Sequence, residues 1–588
     1  MLQRRKIIFT SILAILIGSV VGVILFNARP EAPDSRSSLL FNASGGGDNF
    51  QTVKAKAADT LIDSFGVQLY INEVAPYNCN NDQCLDNIII PRLNDLGVRN
   101  FRSSLYPSAV QYPGLNPSYE WLLVKMRKLY SKTGARCYCF VITPDKTADG
   151  FYQPDQVIKQ IKADASMIEA FLGPNEYNNI SLNWGDDPNN RPADWVRRIR
   201  DYHAQIYSAF KADSQLSQLP IVGSSFVYEN EQDDIGSLSS WVDYGSTNYY
   251  NAYWRLDEFG GNVPADHLVP LGGQPYTLDR QLQYFKMPYG GKPMIITETG
   301  YLAVPNLNDV AGDKRGNFVT DTVAAKYLPR RLFEMYNRDL KKFFVYLFAD
   351  FADNRQDERG PIRFGLLNGD GSPKPVFNSL KNIFTILRDP GSSFSTGSLT
   401  YNLQAPANVH QTLLQKRNGT YYLALWNETI SNDNPKTESA TVVFNSSMKT
   451  TTYKPSDSAQ AVGTQTDTAI ALEIGDAITI VEISPAESSQ GGGNSSSGGS
   501  SGQNGNSGTS KKSSGSSKKS AAVPPPVQEE PGALPDPQLP EEFSLPELVK
   551  SAQSVPPTTL ITISVIGILL LISYAITRVL RRLRLNRL

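Results

Sequence analysis

Two short runs in this sequence end an apolar stretch on a glutamate. The first is Phe171-Leu-Gly-Pro-Asn-Glu176-Tyr-Asn and the second is Met294-Ile-Ile-Thr-Glu298-Thr-Gly-Tyr301. A carboxylate at the edge of buried surface has its pKa moved by desolvation and by neighbouring charge. Two such groups facing one pocket meet the requirement of glycoside hydrolysis: one proton donor and one nucleophile or base. Tyr249, Tyr250 and Trp254 supply aromatic surface of the kind that stacks on sugars, and serve equally well as core or rim.

The elements that must position these groups alternate. Strand-like runs at 64–71, 98–104, 135–143, 168–173, 220–226, 242–250, 293–299 and 342–351 are separated by helical patterns. The helices at 84–96 and 118–133 close on Gly97 and Gly134. A further helix is expected over 192–212 with Pro192 in its first turn. Near-continuous apolar strands with helical crossovers imply a parallel sheet covered on both faces. Eight units in succession fit an α/β fold of the (β/α)8 TIM barrel type over 57–390. A doubly wound open sheet is the alternative, weakened by the absence of a Gly-x-Gly-x-x-Gly after the first strand. In a barrel the working residues sit at the C-terminal strand ends, which places Glu176 after the fourth strand and Glu298 in the seventh. Beyond Pro390 the pattern changes to short alternating strands, read as a small all-β sandwich domain over 391–487.

Asn175-Glu176 at the fourth strand, Glu298 at the seventh, Arg102 at the second and the run Phe364-Gly-Leu-Leu-Asn-Gly-Asp-Gly-Ser-Pro-Lys-Pro-Val376 after the eighth resemble glycoside hydrolase clan A. The resemblance runs from about Phe65 to Leu387 and lies near the family 39 and family 5 types. It implies a retaining glycosidase with Glu298 as nucleophile and Glu176 as acid/base. It also implies Asn175 on the substrate 2-hydroxyl, Arg102 as an opposite charge beside Glu298, and Tyr250 hydrogen-bonded to Glu298. Two positions depart from the clan. Where a His often stands two residues before the strand-six Tyr, this chain has Asn248. Where a Trp often ends strand eight, it reads Tyr346-Leu-Phe-Ala-Asp350, leaving Phe348 or Asp350 to floor the sugar site. No cofactor is implied, and the expected partner is a carbohydrate substrate, with no obligate protein partner. A non-catalytic glycan-binding or adhesion protein on the same scaffold is the alternative.

The 588 residues carry a net charge of −1, a sum over unlike parts. Arg4, Arg5 and Lys6 precede an uncharged apolar run at 7–26, and five arginines between Arg578 and Arg587 follow a second at 558–577. Each run is long enough, at about 1.5 Å per residue, to cross roughly 30 Å of hydrocarbon. Basic flanks favour the cytoplasmic side, so both ends are expected inside and the acidic middle outside, on the cell membrane. The first run is expected as an uncleaved signal anchor, with a cleaved signal peptide as the alternative. A stalk over 27–56, a Ser/Gly- and then Pro-rich linker over 488–557 and a basic tail over 578–588 complete the expected organisation. An acidic middle also argues against nucleic-acid binding. Cys79 and Cys84 flank a short polar loop and are expected to pair, whereas Cys137 and Cys139, on one face of a strand, are expected as buried thiols. Four cysteines and three histidines without ligand-type spacing give no expected metal site.

Overall fold

The computed structural model describes residues 49–486 apart from 72–74, 78–81, 105–118, 141–153, 181–187, 228–230, 251–268, 272–273, 277, 311–317, 353–355, 358–359 and 432–435. Its larger part is a closed parallel barrel. The eight strands in chain order are Phe65–Gln68, Asn100–Ser104, Arg136–Phe140, Ile168–Leu172, Ile221–Val222, Gly245–Tyr249, Met294–Thr299 and Lys342–Val345. Each pairs in parallel with the next, and the eighth returns to the first through Phe343 opposite Phe65. The fifth and sixth are joined by the isolated bridges Val222–Tyr244 and Phe226–Thr247. Closure excludes the open doubly wound sheet.

Strand alternation sorts the side chains into two cores. Tyr138, Ala170, Leu172, Val222, Ile295 and Phe344 fill the barrel interior as one cluster. Their chain neighbours Cys137, Cys139, Phe171 and Ile296 join the larger cluster beneath the helices. Gly66 is required on the inner face, because a Cβ there would lie 2.4 Å from the Phe344 ring. Gly97 ends its helix in the left-handed region at φ 74°, as the sequence pattern demands. The helix expected from Pro192 begins instead at Trp195, whose N–H donates to the Pro192 carbonyl across a preceding turn.

The C-terminal region is one connected eight-stranded sheet. Where short separate strands were expected, Glu438–Tyr453 is a single long strand whose register against Ala461–Ile474 shifts between Val443 and Met448. Its first half pairs with Ser398–Gln404 and its second with Thr479–Pro485. Leu399, Val442 and Ile470 from one half of the sheet share a core with Leu413, Leu423 and Val481 from the other, so the sheet folds over on itself. Gln51–Lys54 and Lys56–Ala57, expected as the end of a stalk and the start of the barrel, belong to this sheet and pair with Ser398–Tyr401 and Leu414–Gln415. Among the described residues the chain therefore starts in the β region, runs through the barrel, and returns.

The helix Asp321–Asn337 lies between barrel and β region and is buried on nearly every side. That position explains its buried charges. Arg330 donates to the carbonyls of Asn427, Thr429 and Asp476 and faces Glu428 at 3.5 Å. Glu334 is held by His410 and Arg338, and Lys326 pairs with Asp476 at 3.1 Å.

Cys137 and Cys139 are joined as a disulfide with their Cα atoms 5.3 Å apart, so the expectation of two thiols is corrected. The separation falls within the disulfide range, and the register against the fourth strand shifts at this point. Cys84 is also disulfide-bonded, while Cys79, its expected partner, lies outside the described residues. The apolar runs 7–26 and 558–577 lie outside them too. Among the described residues no helix is long and apolar enough to cross a membrane.

Candidate active site

The C-terminal ends of the barrel strands bring both glutamates, Arg102, Asn175, Asn248 and Tyr250 into one hydrogen-bonded group. Glu298 reaches it through an irregularity. The seventh strand shifts register against both neighbours between Ile296 and the Glu298–Thr299 end. A bulge re-aims side chains. Here the Thr297 hydroxyl donates to Asn248 Oδ1 at 2.7 Å while the next residue, Glu298, meets Arg102 and Tyr250. Strict alternation would have sent one of the two outward. Arg331, fully buried, donates to Thr299 Oγ1 at 2.9 Å and to the Gly300 carbonyl, bracing this strand end from behind.

Glu176 sits just past the fourth strand with φ 46°, in the left-handed region that a side chain rarely adopts. Its N–H donates to the Ser225 carbonyl at 2.8 Å and its carbonyl accepts from the Asn179 N–H at 2.7 Å, which holds the turn. Asn248 Nδ2 donates to Glu176 Oε1 and Asn179 Nδ2 to Glu176 Oε2, both at 2.7 Å.

Arg102, 1 % exposed, is the hub. Its Nη1 donates to Glu298 Oε1 at 2.5 Å and to Gln68 Oε1 at 2.7 Å, and its Nη2 to Asn175 Oδ1 at 2.8 Å. Asn175 Oδ1 also accepts from Ser225 Oγ and Asn248 Nδ2. The Asn175 amide nitrogen has no partner among the described residues. Tyr250 donates its hydroxyl to Glu298 Oε2 at 3.0 Å. Burial, and then the Glu298 charge, push that hydroxyl well above its ordinary pKa, so it stays a neutral donor.

The two carboxylates sit in unlike surroundings. Glu298 has a buried guanidinium in contact. Glu176 is raised to about 7, first by burial and then by the Glu298 charge, against the hydrogen bonds from Asn248 and Asn179 and the charge of Arg102. One group is thus protonated up to neutral pH beside a second that is ion-paired, which is the division of labour of an acid/base and a nucleophile.

The other expected site residues are placed differently. Tyr249 faces away from the group on the alternate side of its strand, 4 % exposed, with its ring 5.4 Å from the Arg331 guanidinium. Phe348 is fully buried. Asp350 accepts from the Gly365 N–H at 2.7 Å and pairs with Lys374 at 2.7 Å, so its carboxylate braces the loop after the eighth strand. Trp254 lies outside the described residues. Sequence reasoning missed Gln68, Asn179, Tyr70 and Tyr346. The eighth strand ends at Val345, so Tyr346 is the residue at its catalytic end. Tyr346 is half-buried and meets Tyr70 and Phe364 edge to face at 6.0 and 5.4 Å, and Phe364 in turn meets Tyr250 at 5.7 Å. The apolar run Lys342–Phe351 hid that strand end, because nothing in its composition marks where pairing stops.

Glu334, His410 and Glu428 bring three possible metal-ligating atoms within 4.8 Å of one another. Arg338 pairs with Glu334 at 2.6 Å and Arg330 faces Glu428, so a cation there would meet two guanidinium groups. The cluster is an interdomain ion-pair network.

No family model matches the chain, and no curated protein matches it. Solved structures overlap it at low identity. A glucosidase from Croceicoccus marinus is 11 % identical with a TM-score of 0.47, over 76 % of this chain and 98 % of that one. A family 39 glycoside hydrolase from Bacteroides cellulosilyticus WH2 is 14 % identical with a TM-score of 0.47, over 73 % and 82 %. A GH51 arabinofuranosidase from Xanthomonas axonopodis pv. citri is 11 % identical with a TM-score of 0.44, over 74 % and 100 %. With TM-scores below 0.5, these overlaps decide neither fold nor activity. The fold rests on barrel closure, and the chemistry on the site.

Proposed function

We propose that this chain is a retaining glycoside hydrolase acting on the O-glycosidic bonds of an oligosaccharide or polysaccharide. One observation carries the reading: two carboxylates linked through Arg102, Asn175 and Asn248, one paired with a buried arginine and the other raised to about 7. In the first step Glu298 attacks the anomeric carbon, forming a C–O bond as the bond to the leaving oxygen breaks. Glu176 gives its proton to that oxygen. In the second step Glu176, now ionised, takes a proton from water, and the resulting attack on the anomeric carbon releases Glu298. Retention requires the two carboxyl groups about 5–5.5 Å apart. The Asn175 amide would donate to the substrate 2-hydroxyl. Tyr346, Tyr70 and Phe364 offer aromatic faces and edges for a sugar ring.

The same proposal places the site outside the cytoplasmic membrane. The runs 7–26 and 558–577 would anchor the chain, and the 488–557 segment would tether it. The test is product analysis with the detergent-solubilised full chain and a panel of aryl glycosides and glycans. Turnover with retained configuration, lost in Glu298→Gln while the thermal transition persists, supports the reading. Glycan binding without turnover across the panel would replace it with a binding protein on the same scaffold.

A further inference from the structure

The seventh strand carries Glu298 just past a register shift, where ladder pairing is locally disrupted. A helix side chain holds the two residues that follow. Arg331, fully buried on the helix Asp321–Asn337, donates from Nη1 to Thr299 Oγ1 at 2.9 Å and to the Gly300 carbonyl at 3.2 Å. The Thr299 carbonyl accepts from the Tyr346 N–H at 2.8 Å, so Thr299 joins Glu298 to the end of the eighth strand. The guanidinium stands 3.9 Å from the centre of the Tyr301 ring and 5.4 Å from that of Tyr249, the residue that pairs with Thr299 from the sixth strand. Among the described residues no carboxylate pairs with Arg331, and its Nε and Nη2 have no hydrogen-bond partner. A buried cation without a counter-ion is costly, and aromatic faces offset part of that cost. An apolar side chain of similar volume would fill the same space more cheaply. What Arg331 alone supplies is a donor, held flat between two rings, onto residues 299 and 300. Arg330, about 100° round the same helix, serves the β region instead, through the carbonyls of Asn427, Thr429 and Asp476.

We infer that Arg331 is a positioning residue for Glu298: by clamping Thr299 and Gly300 beyond the register shift, it keeps the carboxylate on Arg102 and Tyr250 as the nucleophile forms and releases its bond to the sugar. The inference rests on the glycosidase reading for its kinetic consequence, though not for its geometry. Arg331 acts through the backbone and the Thr299 hydroxyl and touches no reacting atom. Released from the clamp, residues 299 and 300 can slide along the eighth strand, and Glu298 moves with them. A nucleophile displaced by about 1 Å loses on the order of a hundredfold in rate. Substrate affinity depends on groups that Arg331 does not hold, so the loss falls on kcat rather than on KM. Tyr249 takes its place in the same arrangement as one wall of the clamp.

Substitutions in the full chain test this, with kcat and KM on an aryl glycoside normalised to the folded fraction. Arg331→Met keeps bulk and removes the clamp. It lowers kcat by about tenfold to a hundredfold and leaves KM within about threefold of the parent. Thr299→Val keeps shape and removes one of the two acceptors, so kcat falls by less, about threefold to tenfold. The double variant is no slower than Arg331→Met alone, because both act at one contact. Arg330→Met, on the same helix and equally buried, melts several degrees lower and keeps the parental kcat. A kcat within about twofold of the parent in Arg331→Met, or an equal loss in Arg330→Met, overturns the inference. Should Arg331→Met not fold, a parental kcat in Thr299→Val overturns it. If the unaltered chain turns nothing over, the glycosidase reading fails and the crystal structures of Arg331→Met and Thr299→Val decide the clamp by themselves. A Glu298 carboxylate about 1 Å or more off Arg102 and Tyr250 supports it, and one unmoved in both overturns it.

Discussion

Neutralising Glu298 should lower the pKa of Glu176, and Coulomb's law gives the size of the effect at the separation a retaining site requires. Glu176 stands at about 7, with burial as the first cause and the Glu298 charge as the second. At an effective dielectric of about 20 and a separation of about 5.5 Å, two carboxylates repel by roughly 3 kcal/mol, or about two pKa units. Glu298→Gln keeps the shape and removes that repulsion. Arg102, no longer facing an anion there, acts on Glu176 in the same direction. Desolvation remains, so the midpoint should fall to about 5 rather than to the value of a free side chain. At pH 6 the protonated fraction would drop from about nine-tenths to about one-tenth. A carboxyl titration by 13C NMR, with the Glu176 signal assigned by its own substitution, reads this directly. A midpoint that stays near 7 in Glu298→Gln would refute the electrostatic coupling, and with it the claim that the two groups share one site. In the proposed retaining mechanism the same shift would have a use in turnover: an ester on Glu298 would remove its charge, and Glu176 would change from acid to base.

Three further outcomes are expected. Arg102→Lys replaces a fork that reaches Gln68, Glu298 and Asn175 with a single point donor, and should cost about 2–4 kcal/mol in urea unfolding together with at least about a hundredfold in kcat/KM. A chain that begins at Ala58 lacks the paired strands Gln51–Lys54 and Lys56–Ala57, and should melt several degrees below one that begins at Asp48, by differential scanning calorimetry. Burial alone would raise Glu334, but His410 and Arg338 outweigh it and hold the carboxyl well below its usual range. A depressed carboxyl contributes stability above its unfolded pKa of about 4.3 and loses it as pH falls, so Glu334→Gln should flatten the decline in stability below about pH 4.5 seen by chemical denaturation.

Much of the barrel was legible because its signals are local. Apolar runs of strand length, helices closed by Gly97 and Gly134, and a glutamate at the end of two runs can each be read within a few residues of sequence. The β region was less legible. The first half of Ala461–Ile474 is exposed throughout and has no buried face to impose an alternating pattern, so it reads as loop. Gln51–Lys54 shows too little pattern to announce a partner some 350 residues away, and its pairing with Ser398–Tyr401 is a long-range choice made by the assembled sheet.

The site divides the same way. The sequence by itself determined which groups can do chemistry: Glu176 and Glu298 as the paired carboxylates, Asn175 beside one of them, and Arg102 and Tyr250 at other strand ends. Only the tertiary structure decided how they face. The register shift in the seventh strand turns Thr297 and Glu298 into the same group, against the alternation that sequence assumes. The break at Val345 makes Tyr346 the residue at the strand end and leaves Phe348 fully buried. Contact with Glu176 from Asn248 follows from a donor-only arginine two strands away, through Asn175. The physical reason is common to all three. Residue type fixes what a group can donate, accept or ionise, whereas register, strand end and hydrogen-bond polarity are properties of pairs, settled only when the barrel closes.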